Sequence, residues 1–352
     1  MKYNILLTSV IGLFASSCSN DVVERRIDTG TIEFEVSMGS NATRAGVDVQ
    51  NTKFADQEEI DVFISSSTVT YTQPIVYKAT ESEDNDGYYA LSDPRNNSGT
   101  ALSPAQIPWP ESPNTIDIYA YHPKAVVTSL SSANSFTVKA DQSTDGNYRL
   151  SDLMEAEKTG VVRQDNRVQL KFSHLLSKVI ITLRGDRSLN ISHAGWRTGA
   201  TTEQTTAAQI ESNSLLIGAK VELLNIQPTI TITKPKTLSS ASGSATAITV
   251  GTITAATELV DPTDATSAWQ IACIVPPQQL SSAKLVKVTM PTVNNVAGGV
   301  LYFTSAANFE SRKVNTYNVT VHAKELTVSG TIKSWDAGDT DQGHESQPVI
   351  TF

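Results

Sequence analysis

The chain has 352 residues, a formal net charge of −9 and a charged fraction of 18%, which is below the roughly 25% of an average soluble domain. It contains no long basic run, and this argues on electrostatic grounds against nucleic acid or an anionic membrane surface as a partner. The length suffices for about two domains, and the apolar fraction of 39% is adequate for a packed core.

Residues 1–18 have the order of an export signal. Lys2 supplies a positive start, residues 5–14 form a short apolar run, and small residues stand directly before Cys18. The run is too short for a transmembrane helix, which needs about 20 residues. The order resembles a bacterial lipoprotein signal in which Cys18 carries the lipid. An ordinary signal peptide cut elsewhere is the alternative, and either one predicts export.

A polar tether of residues 19–30 leads into a predicted strand at 31–38. Its apolar side chains alternate with polar ones and occupy every second position, as in a half-buried strand; they are Ile32, Phe34, Val36 and Met38. Because a lone strand cannot bury this row, we expect it to be an edge strand of a larger sheet. The loop that follows exposes Arg44 to a trypsin-like protease.

From residue 54 onward the pattern consists of short strands and turns, which predicts an all-β fold of antiparallel β-sandwiches. The best helical candidate is residues 152–158, and residues 201–208 read as an uninformative loop. A polar segment around Gln164 separates two runs of strands. We therefore divide the exported chain into the tether and strand at 19–44, a sandwich at 45–164 and a second sandwich at 165–352, with VQLKF at 168–172 able to join either side.

The residues that could act in catalysis or bind a metal form no catalytic or metal-binding pattern. The five histidines have no metal-ligand spacing, and His174 reads as a packed or hydrogen-bonded strand residue. Cys273 lies in an apolar run and reads as a buried hydrophobe, with no disulfide predicted. The acidic segment at 84–87 resembles a calcium loop only in part and is better read as a hairpin turn. We expect no enzyme, no cofactor and no metal.

Several segments together resemble the fimbrillin family of Bacteroidetes, the type V pilins. The segments are the lipobox at 15–18, ATRA at 42–45, the strand at 59–63, DIYAYHP at 117–123, LKFSHLLSKVIITL at 170–183, IVPPQ at 274–278, NTYNV at 315–319 and SWD at 334–336. Their order along almost the whole chain is more specific than any single one of them.

The resemblance implies two transthyretin-like β-sandwich domains in tandem and export as an outer-membrane lipoprotein. It implies that an arginine-specific protease cuts between Arg44 and Ala45, that the strand at 31–38 then leaves, and that an extended segment of another pilin subunit takes its place. Such a fimbrium supports adhesion to a ligand on a host or bacterial surface. An exposed strand groove is suited to this exchange, since it offers unpaired backbone groups and an apolar floor.

The candidate donor strand is the tail Val349, Ile350, Thr351 and Phe352, which follows Pro348. A plain final strand or a frayed tail is the alternative reading of these residues, and residues 327–333 are the second candidate donor. The alternative function is an outer-membrane surface lipoprotein that binds glycans without polymerising. Of the four tryptophans, Trp196 is the most credible exposed ring for stacking on a sugar.

Overall fold

A computed structural model of the chain describes residues 30–38, 54–66, 73–81, 89–96, 98–102, 107–110, 115–164, 166–233, 237–255, 257–260, 267–292, 298–324 and 326–335. The strands are β1 Phe34–Met38, β2 Glu59–Ser65, β3 Ile75–Glu81, β4 Tyr89–Arg95, β5 Thr115–His122, β6 Asn134–Thr137, β7 Met154–Val162, β8 Val168–His174, β9 Ser177–Gly185, β10 Lys220–Ile226, β11 Thr229–Thr233, β12 Thr237–Leu238, β13 Thr246–Thr252, β14 Glu258–Val260, β15 Ala268–Val275, β16 Gln278–Thr289, β17 Val300–Phe309, β18 Lys313–Val321 and β19 Leu326–Ser334. The α-helices are α1 Asp145–Arg149 and α2 Thr202–Ser214, and two short 3-10 helices cover Arg187–Leu189 and Ala194–Trp196.

Seven of the first eight strands form a closed barrel in the order β1-β4-β3-β2-β5-β7-β8. Strands β2 and β5 alternate as predicted: Val62 and Ile118 point into the barrel, whereas Phe63 and Tyr119 point out of it. The predicted hairpin is confirmed, because β3 and β4 pair antiparallel along their length. The loop at 84–87 that joins these strands lies outside the described residues.

The later strands form a four-stranded sheet, β13-β10-β16-β17, and a five-stranded sheet, β14-β15-β9-β18-β19. Apolar side chains of both sheets share one hydrophobic core, the arrangement of a β-sandwich. The outward rings of Phe63, Tyr119 and Tyr121 belong to this second core. The barrel therefore packs its outer surface against the sandwich while keeping a separate interior core of its own.

The all-β class is confirmed, but two features differ from the predicted antiparallel tandem. Strand β1 runs parallel to β8, and β9 runs parallel to β18. Of the two sides open to VQLKF, this segment joins the barrel as β8, and β6, which precedes Gln164, pairs with β11, which follows it. The transthyretin-like description and the exact boundary therefore stay predictions.

Two local predictions were wrong. Residues 152–158 are not helical, because β7 pairs with β5 over residues 115–122 and that tertiary pairing overrides the short helical pattern. Residues 201–208 are not a loop, because they begin α2. The Thr201 side chain accepts the Gln204 backbone N–H and the Gln204 side chain accepts the Thr201 N–H, which completes a capping box.

Candidate functional site

The apolar row predicted for residues 31–38 fills the interior of the barrel. Ile32, Phe34, Val36 and Met38 are 5%, 1%, 0% and 8% exposed. The Phe34 ring meets the Tyr77 ring edge to face, with 5.5 Å between ring centroids. Burying an apolar side chain of this size is worth about 1.5–3 kcal/mol. These four side chains therefore supply most of what holds β1 in place.

The backbone of β1 lies between two other strands. All five residues of β1 pair with Val168–Phe172 of β8 in parallel register, whereas only Glu35 and Val36 pair with β4. The prediction of an edge strand was wrong, because β1 closes the barrel between β4 and β8. The closure is uneven, with a full ladder on one side of β1 and a short one on the other.

A cleft of about 410 Å³ opens on the weakly paired side, between residues 31–33 and residues 90–94. Strand β4 turns away there, because Asp93 has a positive φ of 51°. The Arg95 guanidinium binds the Asp93 carboxylate through two nitrogens at 2.7 and 2.9 Å, and this hydrogen bonding lowers the pKa of Asp93. A local irregularity of this kind re-aims a strand, and β4 still pairs with β3 on both sides of Asp93, with a register shift between Val76 and Lys78.

The chain before β1 is tied to a third segment instead of to β4. The Ile32 N–H donates to the Ile107 carbonyl at 2.7 Å, and the Trp109 N–H donates to the Gly30 carbonyl at 2.9 Å. On the outer face, Glu33 forms a partly exposed ion pair with Arg167 at 3.4 Å. Such pairs contribute little to stability. The ion pair of Glu33 thus adds little to the apolar contacts that hold this segment.

A network of buried polar side chains lies where the barrel meets the sandwich. His122 Nε2 lies 2.8 Å from Glu58 Oε1, and His122 Nδ1 lies 3.1 Å from the Asp152 carbonyl oxygen. His174 Nδ1 lies 2.8 Å from the Asp152 carboxylate, and its ring stacks on Trp335 with 3.8 Å between centroids. The prediction that His174 is a packed, hydrogen-bonded strand residue is confirmed.

The other candidate residues are accounted for by packing. Cys273 is fully buried, and burial raises the pKa of its thiol, as expected for a small hydrophobe. Within the described ranges, no group of three or more His, Cys, Asp or Glu side chains is placed to hold a metal ion. His344 lies outside these ranges.

The tryptophans do not form a common platform. Trp109, Trp269 and Trp335 are buried at 5%, 7% and 6% exposure. Trp196 is half-buried, and its Nε1–H donates to Asn190 Oδ1 at 2.7 Å. Trp196 is thus the most exposed of the four, as predicted, but the other three rings cannot join it in stacking on a sugar.

The residues of the predicted processing and donor sites lie outside the described part of the chain. They are Cys18, Arg44, Ala45, Val349, Ile350, Thr351 and Phe352. Sequence reasoning found the strand that fills the barrel but missed the cleft beside it. The available signal was the Asp93-Pro94 dipeptide, which is typical of a turn rather than of a continuing strand.

No helix among the described residues is both long and apolar enough to cross a membrane. A comparison with curated proteins finds no matching sequence. Among solved structures, the chain is similar to a proposed cell adhesion protein of Bacteroides uniformis, with 18% identity, a TM-score of 0.56, and coverage of 88% of this chain and 99% of the other. A proposed cell adhesion protein of Bacteroides ovatus is similar with 18% identity, a TM-score of 0.55 and the same coverage.

At this identity the two structures support the fold alone. The family comparison goes further, because the model of the fimbrillin-like family matches residues 43–335. The matched region begins one residue before Arg44 and ends at Trp335, so it leaves out both β1 and the tail. Since the match spans most of the chain, this protein belongs to the fimbrillin-like family.

Proposed function

We propose that the chain is a structural subunit of surface fimbriae that supports adhesion and polymerises by strand exchange after proteolysis at Arg44. The observation that carries the proposal is the position of β1, which closes the barrel with a buried apolar row and a short ladder to β4. The family match over residues 43–335 supports the fimbrial part of the proposal.

The barrel gives a physical reason for exchange. Removing β1 uncovers the apolar interior and leaves the facing backbone groups of β8 unpaired. Both are costly in water. A second strand with the same apolar alternation restores both at once, so the processed subunit has a strong tendency to accept one.

Of the two candidate donors, the tail is the better one. Residues 327–333 lie within β19, which pairs with β18 over nine residues, Leu326 to Ser334. They would have to break this ladder before they reached another subunit. Residues 349–352 follow β19 in sequence and lie outside the described residues.

The proposed maturation places the chain first on the outer membrane, through lipid on Cys18, and then in the extracellular fimbrium. Its partners are other pilin subunits, an arginine-specific protease and a ligand on a host or bacterial surface. Its role is structural and adhesive rather than catalytic.

The first test is limited digestion of the purified chain with an arginine-specific protease. We expect mass spectrometry to find a folded product that begins at Ala45. The matched control is Arg44→Lys, which removes the cleavage residue and keeps its charge. Absence of the Ala45 product, or unfolding of that product, would contradict the proposal.

The second test removes residues 348–352. We expect a monomer that unfolds at the same temperature as the full chain but forms no ladder on a gel after digestion. Ladders that persist without the tail would assign the donor strand to another segment.

A further inference from the structure

The cleft beside β1 is continuous with the groove that β1 fills. Ile32 belongs to the interior core of the barrel and also lines the cleft. Tyr77 and Ile107 do the same. The cleft therefore borders the interior core of the barrel while β1 is still in place.

The opposite wall of the cleft is formed by β4 beyond Ala90, which is the last residue that β4 pairs with β1. Glu35 and Val36 pair with Ala90 and Tyr89, and continuing this register would place Glu33 opposite Ser92. The bend at Asp93 and the bonds from Gly30 and Ile32 to residues 107–109 hold the two segments apart instead. A stretch of β4 is thus left beside β1 without being paired to it.

We propose that this cleft is the site where the incoming strand of a second copy first binds, before β1 has left the barrel. The inference rests on the proposed strand exchange and adds where the exchange begins. One apolar side chain of the incoming strand enters the cleft between Ile32 and Leu91, while its backbone pairs with β4 beyond Ala90. The strand then replaces β1 residue by residue toward Met38.

Stepwise replacement avoids the large cost of an empty groove. If residues 31–38 left first, the barrel would lose four buried apolar side chains, each contributing about 1.5–3 kcal/mol, before any were replaced. Binding at the cleft allows each lost contact to be replaced as it breaks. The barrier to exchange is then set by one or two residues rather than by the whole strand.

The occupant is the tail of the second copy, residues 347–352. This segment, QPVITF, has no charged side chain, although the whole chain has a net charge of −9. The two carboxylates that line the cleft are both in ion pairs, Glu33 with Arg167 and Asp93 with Arg95 and Lys78. A segment with charged side chains would disturb these pairs, whereas an apolar one would not.

The test follows the release of β1 from the chain cleaved at Arg44, with a fluorophore attached to the β1 fragment. Two synthetic peptides are added, one with the sequence of residues 31–38 and one with that of residues 343–352. Docking at the cleft predicts a release rate that rises in proportion to peptide concentration. Release at a rate independent of peptide concentration would overturn the proposal, because β1 would then be leaving first.

A variant that fills the cleft gives a second readout. Ala101 lines the cleft and is exposed, so Ala101→Trp places a large ring in the cleft. The matched control is Ala306→Trp, at an exposed position of β17. We expect Ala101→Trp to slow exchange at least tenfold relative to Ala306→Trp, with the unfolding temperature of each variant measured in parallel.

The outcomes separate the two proposals. If neither peptide displaces β1 from the wild-type chain at any concentration, strand exchange itself fails and the cleft proposal falls with it. If β1 is displaced but Ala101→Trp exchanges as fast as Ala306→Trp, strand exchange stands and the cleft is not its starting point. Should Ala101→Trp fail to fold, the concentration dependence in the wild-type chain decides.

Discussion

Strands β1 and β18 occupy similar positions in the two halves of the molecule but are held in different ways. Each runs parallel to one of two consecutive strands, β1 to β8 and β18 to β9. Strand β18 forms eight residue pairs with β9 and nine with β19, whereas β1 forms five with β8 and two with β4. Backbone ladders fix β18 on both sides, while β1 depends on its apolar side chains. This difference is why the proposed strand exchange involves β1 and not β18.

The largest effect is expected from Phe34→Ala, because Phe34 is 1% exposed and packs against Tyr77. Loss of a buried phenylalanine costs about 3–5 kcal/mol of the free energy of unfolding. Urea denaturation of the intact chain measures this loss. After cleavage at Arg44 and exchange for a wild-type 31–38 peptide, the cost should disappear. A cost that persisted would show that β1 had not been replaced.

A pH effect is expected from Asp61 of the barrel. Burial raises the pKa of Asp61 from 3.8 to about 6, although the Ala125 N–H donates to its carboxylate at 2.6 Å. The folded chain therefore binds this proton more tightly than the unfolded chain. The contribution of Asp61 to stability is largest below pH 4 and falls by up to about 3 kcal/mol as the pH rises through 6.

The variant Asp61→Asn should remove this slope, which is the decrease in the free energy of unfolding between pH 4 and 7. Urea denaturation of the variant and of the wild-type chain at several pH values measures it. Asp56→Asn, at an exposed position, is the control and should leave the slope unchanged. If Asp61→Asn kept the wild-type slope, burial of Asp61 would not be its source.

The matched pair Val36→Ala and Val319→Ala tests the comparison directly. Val36 of β1 is 0% exposed and Val319 of β18 is 1% exposed. Each variant should cost about 2 kcal/mol in the intact chain, since both leave a small cavity. After cleavage and exchange with a wild-type 31–38 peptide, only the Val319→Ala cost should remain. Equal costs before and after exchange would remove the distinction between the two strands.

The smallest effect is expected from Arg167→Ala. Its partner Glu33 lies 3.4 Å away in a partly exposed pair, and such pairs contribute about 0.2–1 kcal/mol. Urea denaturation should detect little change at low salt and none at high salt, where the pair is screened. A salt-independent loss larger than that of Val36→Ala would mean that polar contacts hold β1.

The sequence predicts the barrel interior well, because strands that bury one face carry a strict two-residue alternation. The row at Ile32, Phe34, Val36 and Met38 and the division of Val62 from Phe63 follow from this rule alone. It does not predict which strands become neighbours. The parallel pairing of Phe34 with Val168 joins residues far apart in sequence, and no local pattern encodes it.

The errors have the same origin. Residues 152–158 look helical in isolation, but pairing with β5 makes them part of a strand. The capping box at Thr201 was present in the sequence, yet its surroundings, rich in threonine, favoured a loop. The cleft depends on a single positive φ at Asp93, which the sequence indicates only through the proline that follows.

The consecutive strands β8 and β9 belong to different halves of the molecule and are joined by Leu175 and Leu176, which are buried at 2% and 0% exposure. In a fibre built by the proposed strand exchange, this connection would carry tension. A pull on a strand in the place of β1 would pass sideways into β8, along the chain into β9, and sideways again into β18. Load of this kind runs parallel to the strands, so that many hydrogen bonds resist it together rather than opening one after another. The subunit would thus transmit a pull through its own continuous backbone, without relying on the contact surface between its two halves.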